Sequence, residues 1–272
     1  MGNKAIAEYW EQSGREKPRL AQEAMLRDLQ RLGGEARGLY ILDVGCGGGD
    51  YSLAWANAGA TVFSLDFDAG RIKVVTEKAG KSYNNLHPVN GDAQKIPFYD
   101  NSFDFVICRN IIEHVDTPRA LASEVVRVLK PGGRLILNAP NRLSLQQFFR
   151  DEHYRLPLVS VLPVWLAGFI VTKIFRYENK YSVRRIPTYY SIEKWFSPYA
   201  ADIKIIQPDA AVIRARLLDP ETIRNRILAV IGKTLRMLGL NKVVAEIASN
   251  PALLKLSAAR FSLWITKKGQ TA

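Results

Sequence analysis

The chain has 272 residues, 47% of them hydrophobic, and a formal net charge of +12 from 38 basic and 26 acidic side chains. That length buries a full core, and the ordinary apolar content excludes a wholly disordered chain. Two cysteines exclude a disulfide framework, no cluster has metal-ligand spacing, and the polar N-terminal stretch lacks an apolar leader core, so a reducing cytoplasm is the expected setting.

The charge is unevenly spread. Residues 1–140 carry 17 basic and 17 acidic side chains, whereas residues 141–272 carry 21 and 9. A neutral front half and a basic back half imply two tasks, the second involving an anionic partner.

In chain order, residues 5–32 read as a helix stopped by Gly33-Gly34. "LYILDV" (39–44) reads as a buried parallel strand, and "DYSLAWANAG" (50–59) as a helix closed at Gly59. A second strand (60–68), a helix (69–82), a short third strand (86–92) and a fourth strand (102–110) follow. Residues 117–133 read as a helix capped by Thr117, with Pro118 at its first position and Pro131-Gly132-Gly133 closing it. "RLILNAPN" (134–141) is the fifth strand. This alternation predicts a doubly wound α/β domain, whose ligand lies at the carboxyl ends of the strands where their order reverses.

"DVGCGGGD" (43–50) falls directly after the first strand. Glycine costs about 0.5–1 kcal/mol relative to alanine in regular structure, so four in five residues require a turn of positive φ or a close approach to backbone. The dinucleotide pattern is broken because position 50 is Asp, and no Gly-Lys-Ser/Thr follows for a phosphate loop. What stands is Asp43-x-Gly45-x-Gly47-x-Gly49. With "SLDFD" (64–68), "GDAQKIPF" (91–98) and "FDFVICRNIIEHVDTPRALASEVVRVLKPGGRLIL", the run resembles the class I S-adenosylmethionine-dependent methyltransferases over residues 39–141.

That resemblance implies a mostly parallel seven-stranded Rossmann-like sheet with an antiparallel last strand and helical insertions over the active site. It implies a single methyltransferase domain over 1–272: an N-terminal helix or lid (1–38), an S-adenosylmethionine-binding core (39–141), a substrate-lid insertion (142–200) and C-terminal strands (201–272) around a basic helical insertion (214–259). Cofactor contacts are implied for Asp43, Gly45, Cys46, Gly47 and Gly49, for Asp66 on the ribose with Phe67 beside it, for Asp92 and Ala93 at the adenine, and for Arg109 and Asn110. Plainer alternatives stand beside these: Asp66 as a helix cap, Asp92 as a turn residue, both cysteines as buried filler, and Tyr9-Trp10 as core instead of lid.

For a hydroxyl acceptor a base helps, and histidine is the usual choice near neutral pH. His87 lies on a short strand away from the crevice. His114, in "IIEHVDTP", is a structural or catalytic loop residue, and His153, in "RDEHYRLP", lies where the resemblance places substrate-binding insertions. His153 is the first candidate base and His114 the second; a surface or capping role is the alternative.

Residues 156–172 form 17 uncharged positions, short of the ~20 that span a bilayer and broken by Pro157 and Pro163. They read as a helical lid or a membrane-facing surface. Residues 176–196 mix basic side chains with four tyrosines. Residues 221–240 are amphipathic, with Ile223, Ile227, Val230, Ile231 and Leu238 on one face and Arg226, Lys233 and Arg236 roughly opposite. Residues 201–213 and 260–269 read as the last two strands, an antiparallel hairpin at the sheet edge.

The leading expectation is methylation, at oxygen before carbon, of a small or lipid-linked acceptor by a cytoplasmic enzyme peripheral to the inner face of an anionic membrane. RNA methylation is the runner-up, because the basic half suits phosphate; no Asn/Asp-Pro-Pro-aromatic signature and no separate RNA-binding domain accompany it. A non-catalytic S-adenosylmethionine-binding regulator is the third reading.

Overall fold

The structure is a computed structural model. It describes residues 3–80, 82–149, 151, 153–154, 156–177 and 181–207, and beyond these 230, 233–234, 236–248, 250, 253, 255–256, 258 and 260–269. A helix, α1 (Asn3–Arg31), precedes an alternation of β1 (Tyr40–Val44), α2 (Asp50–Asn57), β2 (Thr61–Asp66), α3 (Ala69–Ala79), β3 (Leu86–Asn90), β4 (Phe103–Arg109), α4 (Pro118–Val128) and β5 (Leu129–Pro140). The insertion that follows holds α5 (Leu145–Phe149), a 3-10 turn (Val159–Val161), α6 (Val164–Phe169) and a π-helical turn (Ile170–Ile174). After it come α7 (Tyr189–Phe196), β6 (Ala200–Gln207), α8 (Asn241–Ala248) and β7 (Arg260–Lys267).

The seven strands lie in the order β3-β2-β1-β4-β5-β7-β6, and only β7 runs antiparallel to its neighbours. The expected doubly wound sheet is therefore present. β1 and β4 are central and buried on both faces, which is why they read as largely apolar runs, interrupted by Asp43 in β1 and by Asp104 and the terminal Arg109 in β4. Along β4 the pleat sends Phe105 and Ile107 to the layer of α1–α3, with Trp55 and Val62. Val106 and Cys108 face the opposite layer, with Leu121, Val125 and Phe196. Strand order reverses between β1 and β4, so the loops after these two strands border the crevice.

The chain departs from the sequence expectation at Pro131-Gly132-Gly133, which lie inside β5 instead of closing the preceding helix. β5 begins at Leu129, paired with Phe103, and its register shifts before Phe105 pairs with Arg134. Gly132 takes φ +74° there, and a Cβ on Gly133 would lie 2.8 Å from the Lys130 carbonyl oxygen. Only glycine permits that bulge.

Between Asp151 and Ile186 the insertion has its own small core of Tyr154, Leu156, Val159, Ala167, Val171, Val183 and Ile186. α7, by contrast, packs Tyr189, Ile192 and Phe196 into the main core. The apolar run 156–172 is broken into short turns, and no helix among the described residues is long and apolar enough to cross a membrane. Of the amphipathic stretch 221–240, Ile223, Arg226, Ile227 and Ile231 lie outside the described residues, as does the end of the strand expected over 201–213. Val230, Lys233, Arg236 and Leu238 are exposed. The side chains of Tyr9 and Trp10 also lie outside the described set.

Candidate active site

The loop after β1 places Gly45, Gly47 and Gly49 at φ +71°, +56° and +75°. Its glycines serve different ends. A Cβ on Gly45 would lie 2.6 Å from Ile111 Cδ1, and one on Gly49 2.8 Å from Val75 Cγ2, so both are closed off by the protein's own packing. A Cβ on Gly47 would meet nothing within 4 Å. Gly47 thus turns bare backbone towards open space, as a ligand cradle requires.

Asp66, at the end of β2, faces this loop. Its Oδ2 accepts the Gly47 N–H at 2.9 Å and its Oδ1 accepts the Asp68 N–H at 3.0 Å, while Arg71 lies 3.7 Å away. The cap of α3 is Asp68, whose Oδ1 accepts from Gly70 and Arg71. Asp66 is therefore not the cap, and a carboxylate with about four acceptor sites keeps capacity for two hydroxyl donors. Phe67 is 81% exposed beside it, an uncovered ring at the carboxyl edge of the sheet. Ala93 is buried, and Asp92 is exposed with Oδ1 accepting the Gln94 N–H at 2.8 Å, so it makes a turn whatever else it binds.

Asp43 is buried and accepts the Ser52 hydroxyl at 2.6 Å; burial pushes its carboxyl up to about 6 against the opposing pull of that hydrogen bond and of Arg109. Cys46 is half-buried, and burial drives its thiol pKa upward, which makes it a poor nucleophile. Arg109 projects to the α1–α2 side. It pairs with Asp28 at 2.7 Å and lies over the Tyr51 ring at 4.2 Å. The Tyr51 hydroxyl donates to Asp28 and lies 2.7 Å from the guanidinium. Asn110 takes φ +56°, and its side-chain oxygen accepts from Arg260. Asp28 and Tyr51 carried no motif, and only the packing of α1 on α2 reveals them.

The two candidate histidines, 39 positions apart in the chain, meet at the carboxyl end of β4. Their rings are 5.2 Å apart, edge to face. His114 Nδ1 lies 3.0 Å from the Ser182 carbonyl oxygen. His153 Nε2 lies 3.9 Å from Glu113 Oε1, and its Nδ1 lies 3.7 Å from Asp151 Oδ2. Glu113 is 1% exposed, and burial raises its carboxyl pKa against the opposing pull of His153 and Arg260. Its carbonyl is fixed by the N–H groups of Arg184 and Arg185 at 2.8 and 3.2 Å. Glu113 carried no motif of its own although it adjoins His114; a carboxylate in the turn after an inner strand was the available signal. His87 stands apart, exposed on β3 with its ring 4.8 Å from Phe63.

A seven-stranded sheet in this order, with a glycine loop after β1 and an acid closing β2 against it, defines the class I S-adenosylmethionine-dependent methyltransferase fold. Residues 42–137 match the family described as "Methyltransferase domain". The "demethylmenaquinone methyltransferase" of Staphylococcus haemolyticus is 37% identical over 139 residues, 50% of this chain and 57% of the relative. The chain thus spans little more than half the length of the curated relatives it matches. Among solved structures, phosphoethanolamine N-methyltransferase 2 of Haemonchus contortus, in complex with S-adenosylhomocysteine, superposes with a TM-score of 0.54 at 19% identity, covering 91% of this chain and 53% of that one. The cyclase SpnF superposes at 0.52 and 16% identity, covering 94% and 82%. These two likenesses establish the fold; the cyclase shows that the fold alone does not fix the reaction.

The cradle fits S-adenosylmethionine. Gly47 offers unobstructed backbone, Asp66 retains acceptor capacity, and the uncovered Phe67 ring lies beside it.

Proposed function

We propose that the chain transfers a methyl group from S-adenosylmethionine to a small or lipid-linked acceptor, at a hydroxyl, on the surface of an anionic membrane. One observation carries this reading above the rest: the insertion after β5 exposes a run of apolar side chains and also delivers His153 to the end of β4. Trp165 is 74% exposed, Phe149 68%, Ile174 59% and Phe169 54%, with Lys173 and Arg176 exposed among them. Exposed apolar side chains edged by basic ones suit a lipid interface. The acceptor named for the staphylococcal relatives, a demethylmenaquinone, is in keeping with a small lipid-like molecule.

When bound, the cofactor supplies a methyl group already made electrophilic by its sulfonium. What remains for the chain is to hold the acceptor in line, exclude water and accept a proton. Asp66, the glycine loop, Phe67, Asp92 and Ala93 hold the cofactor, and Arg109 braces the end of β4 through Asp28 and Tyr51. His153 accepts the proton at Nε2, with Asp151 and Glu113 on either side of its ring to favour the imidazolium that forms. His114 is the next candidate.

The test is methyl transfer from labelled S-adenosylmethionine to a membrane lipid extract and, in parallel, to total RNA. Label in an acid-stable ether of a lipid supports the proposal. A new carbon–methyl bond would correct the acceptor atom, label confined to RNA would establish the runner-up, and cofactor binding with no transfer would favour a regulator. In sedimentation with vesicles, the chain should favour anionic over neutral lipid, each basic residue near the surface contributing about 1 kcal/mol.

A further inference from the structure

We infer that Glu113, His114 and His153 form a binding site for a divalent transition-metal ion, and that the ion excludes the proton-accepting role of His153. The three residues each present a ligand atom, and these atoms lie within 4.8 Å of one another. Ligand atoms about 2.0–2.1 Å from a tetrahedral ion stand about 3.4 Å from one another, so the cluster closes by up to about 1.4 Å on binding. His153 Nε2 and Glu113 Oε1, at 3.9 Å, lie within about half an ångström of that separation.

The surroundings orient these ligands. A carbonyl oxygen only accepts, so the 3.0 Å contact to Ser182 places the proton of neutral His114 on Nδ1 and the lone pair on Nε2. Asp151 stands behind the other ring, 3.7 Å from His153 Nδ1, and is itself fixed by the N–H groups of His153 and Tyr154 at 3.2 and 2.7 Å. A carbonyl or carboxylate behind a ligating imidazole is the usual outer arrangement of a metal site.

A second observation points to a cation. Glu113 is 1% exposed, and its Oε2 has no hydrogen-bond partner. A buried carboxylate oxygen without a partner is costly, and a bound ion removes that cost. Arg260 is the nearby positive charge that opposes an ion there, and it is held by the Asn110 side chain. Two imidazoles and one carboxylate suit zinc, cobalt, nickel or ferrous iron better than magnesium or calcium.

Ligation and proton acceptance use the same lone pair on His153 Nε2. The inhibitory consequence rests on the function proposed above; the binding site does not. The test therefore reads binding without any acceptor present. Metal-stripped protein is titrated with cobalt(II), followed by visible absorption, and with zinc(II), followed by calorimetry. One ion per chain at about micromolar affinity or tighter is expected. Glu113→Gln, His114→Ala and His153→Gln should each weaken it by more than 100-fold, beyond the about 10–100-fold expected for Asp151→Asn. His87→Ala should leave it unchanged. Circular dichroism identifies any misfolded variant, and His153→Gln, at a half-buried position, keeps the test open if Glu113→Gln does not fold. Failure to bind at about 100 μM, or binding indifferent to folded His114 and His153 variants, overturns the site. Loss of methyl transfer at the zinc concentration that fills the site, restored by chelation, supports exclusion. Unchanged or faster transfer with zinc bound overturns exclusion and leaves the site standing.

Discussion

Replacing Gly47 by alanine separates the two uses of glycine in the loop after β1. The residue sits at φ +56°, where an L side chain costs roughly 1–2 kcal/mol. No packing penalty adds to this, because the new Cβ meets nothing within 4 Å, and alanine keeps the N–H that donates to Asp66. Gly45→Ala carries the same backbone cost at φ +71° and also brings Cβ to 2.6 Å from Ile111 Cδ1 and 3.2 Å from Ile111 Cβ. Overpacking of that kind adds about 1–3 kcal/mol, for a total of about 2–5. Urea denaturation should therefore show a smaller loss for Gly47→Ala than for Gly45→Ala. Calorimetry with S-adenosylhomocysteine should show the reverse emphasis: folded Gly47→Ala loses at least about tenfold in affinity, or about 1.4 kcal/mol, because its methyl group occupies the ligand's space. Wild-type affinity in a folded Gly47→Ala protein would refute the reasoning and reduce Gly47 to a turn residue.

Three further outcomes are expected. Asp66→Ala should weaken S-adenosylmethionine binding by about 1.5–3 kcal/mol, the scale of a hydrogen bond to a charged group; unchanged affinity in calorimetry would remove Asp66 from the cofactor site. Asp43, pushed up to about 6 from 3.8, keeps its proton in the folded chain over a pH range where the unfolded chain has lost it, so its contribution to stability falls as pH rises from about 4 to 6. The stability of Asp43→Asn relative to wild type should accordingly rise by up to about 3 kcal/mol across that window, and a flat difference in urea titrations at both ends would show that the buried carboxyl is not raised. His153→Ala should lower turnover by about 10²–10⁴ with cofactor affinity nearly unchanged; wild-type turnover would move the proton to His114, then to Tyr154, or leave positioning alone to carry the reaction.

The strands, their parallel order and the glycine loop were legible in the linear chain because each is a local consequence of backbone sterics and burial. A strand buried on both faces, such as Ile41–Val44, is apolar apart from the hydrogen-bonded Asp43, and a tight exit from it must use glycine. The boundary between α4 and β5 was not legible, because Pro131-Gly132-Gly133 ends a helix as naturally as it forms a bulge, and only pairing with β4 selects the bulge. Nor could spacing distinguish Gly47, open to a ligand, from Gly45 and Gly49, closed by Ile111 and Val75; that difference depends on neighbours distant in the chain. Arg109 read as a crevice residue, yet the pleat of β4 and the packing of α1 direct it to Asp28 and Tyr51. The candidate base shows the division most clearly. Among three histidines, the insertion that the methyltransferase resemblance implies after the fifth strand singled out His153, but its placement between Glu113 and Asp151 depends on an insertion whose small apolar core forms only when Tyr154, Ala167 and Val183 meet. Sequence alone determined what could turn, be buried or titrate, because those are properties of single residues and their immediate neighbours. The tertiary structure decided which of them share a site, because that depends on contacts formed only when segments far apart in the chain pack together.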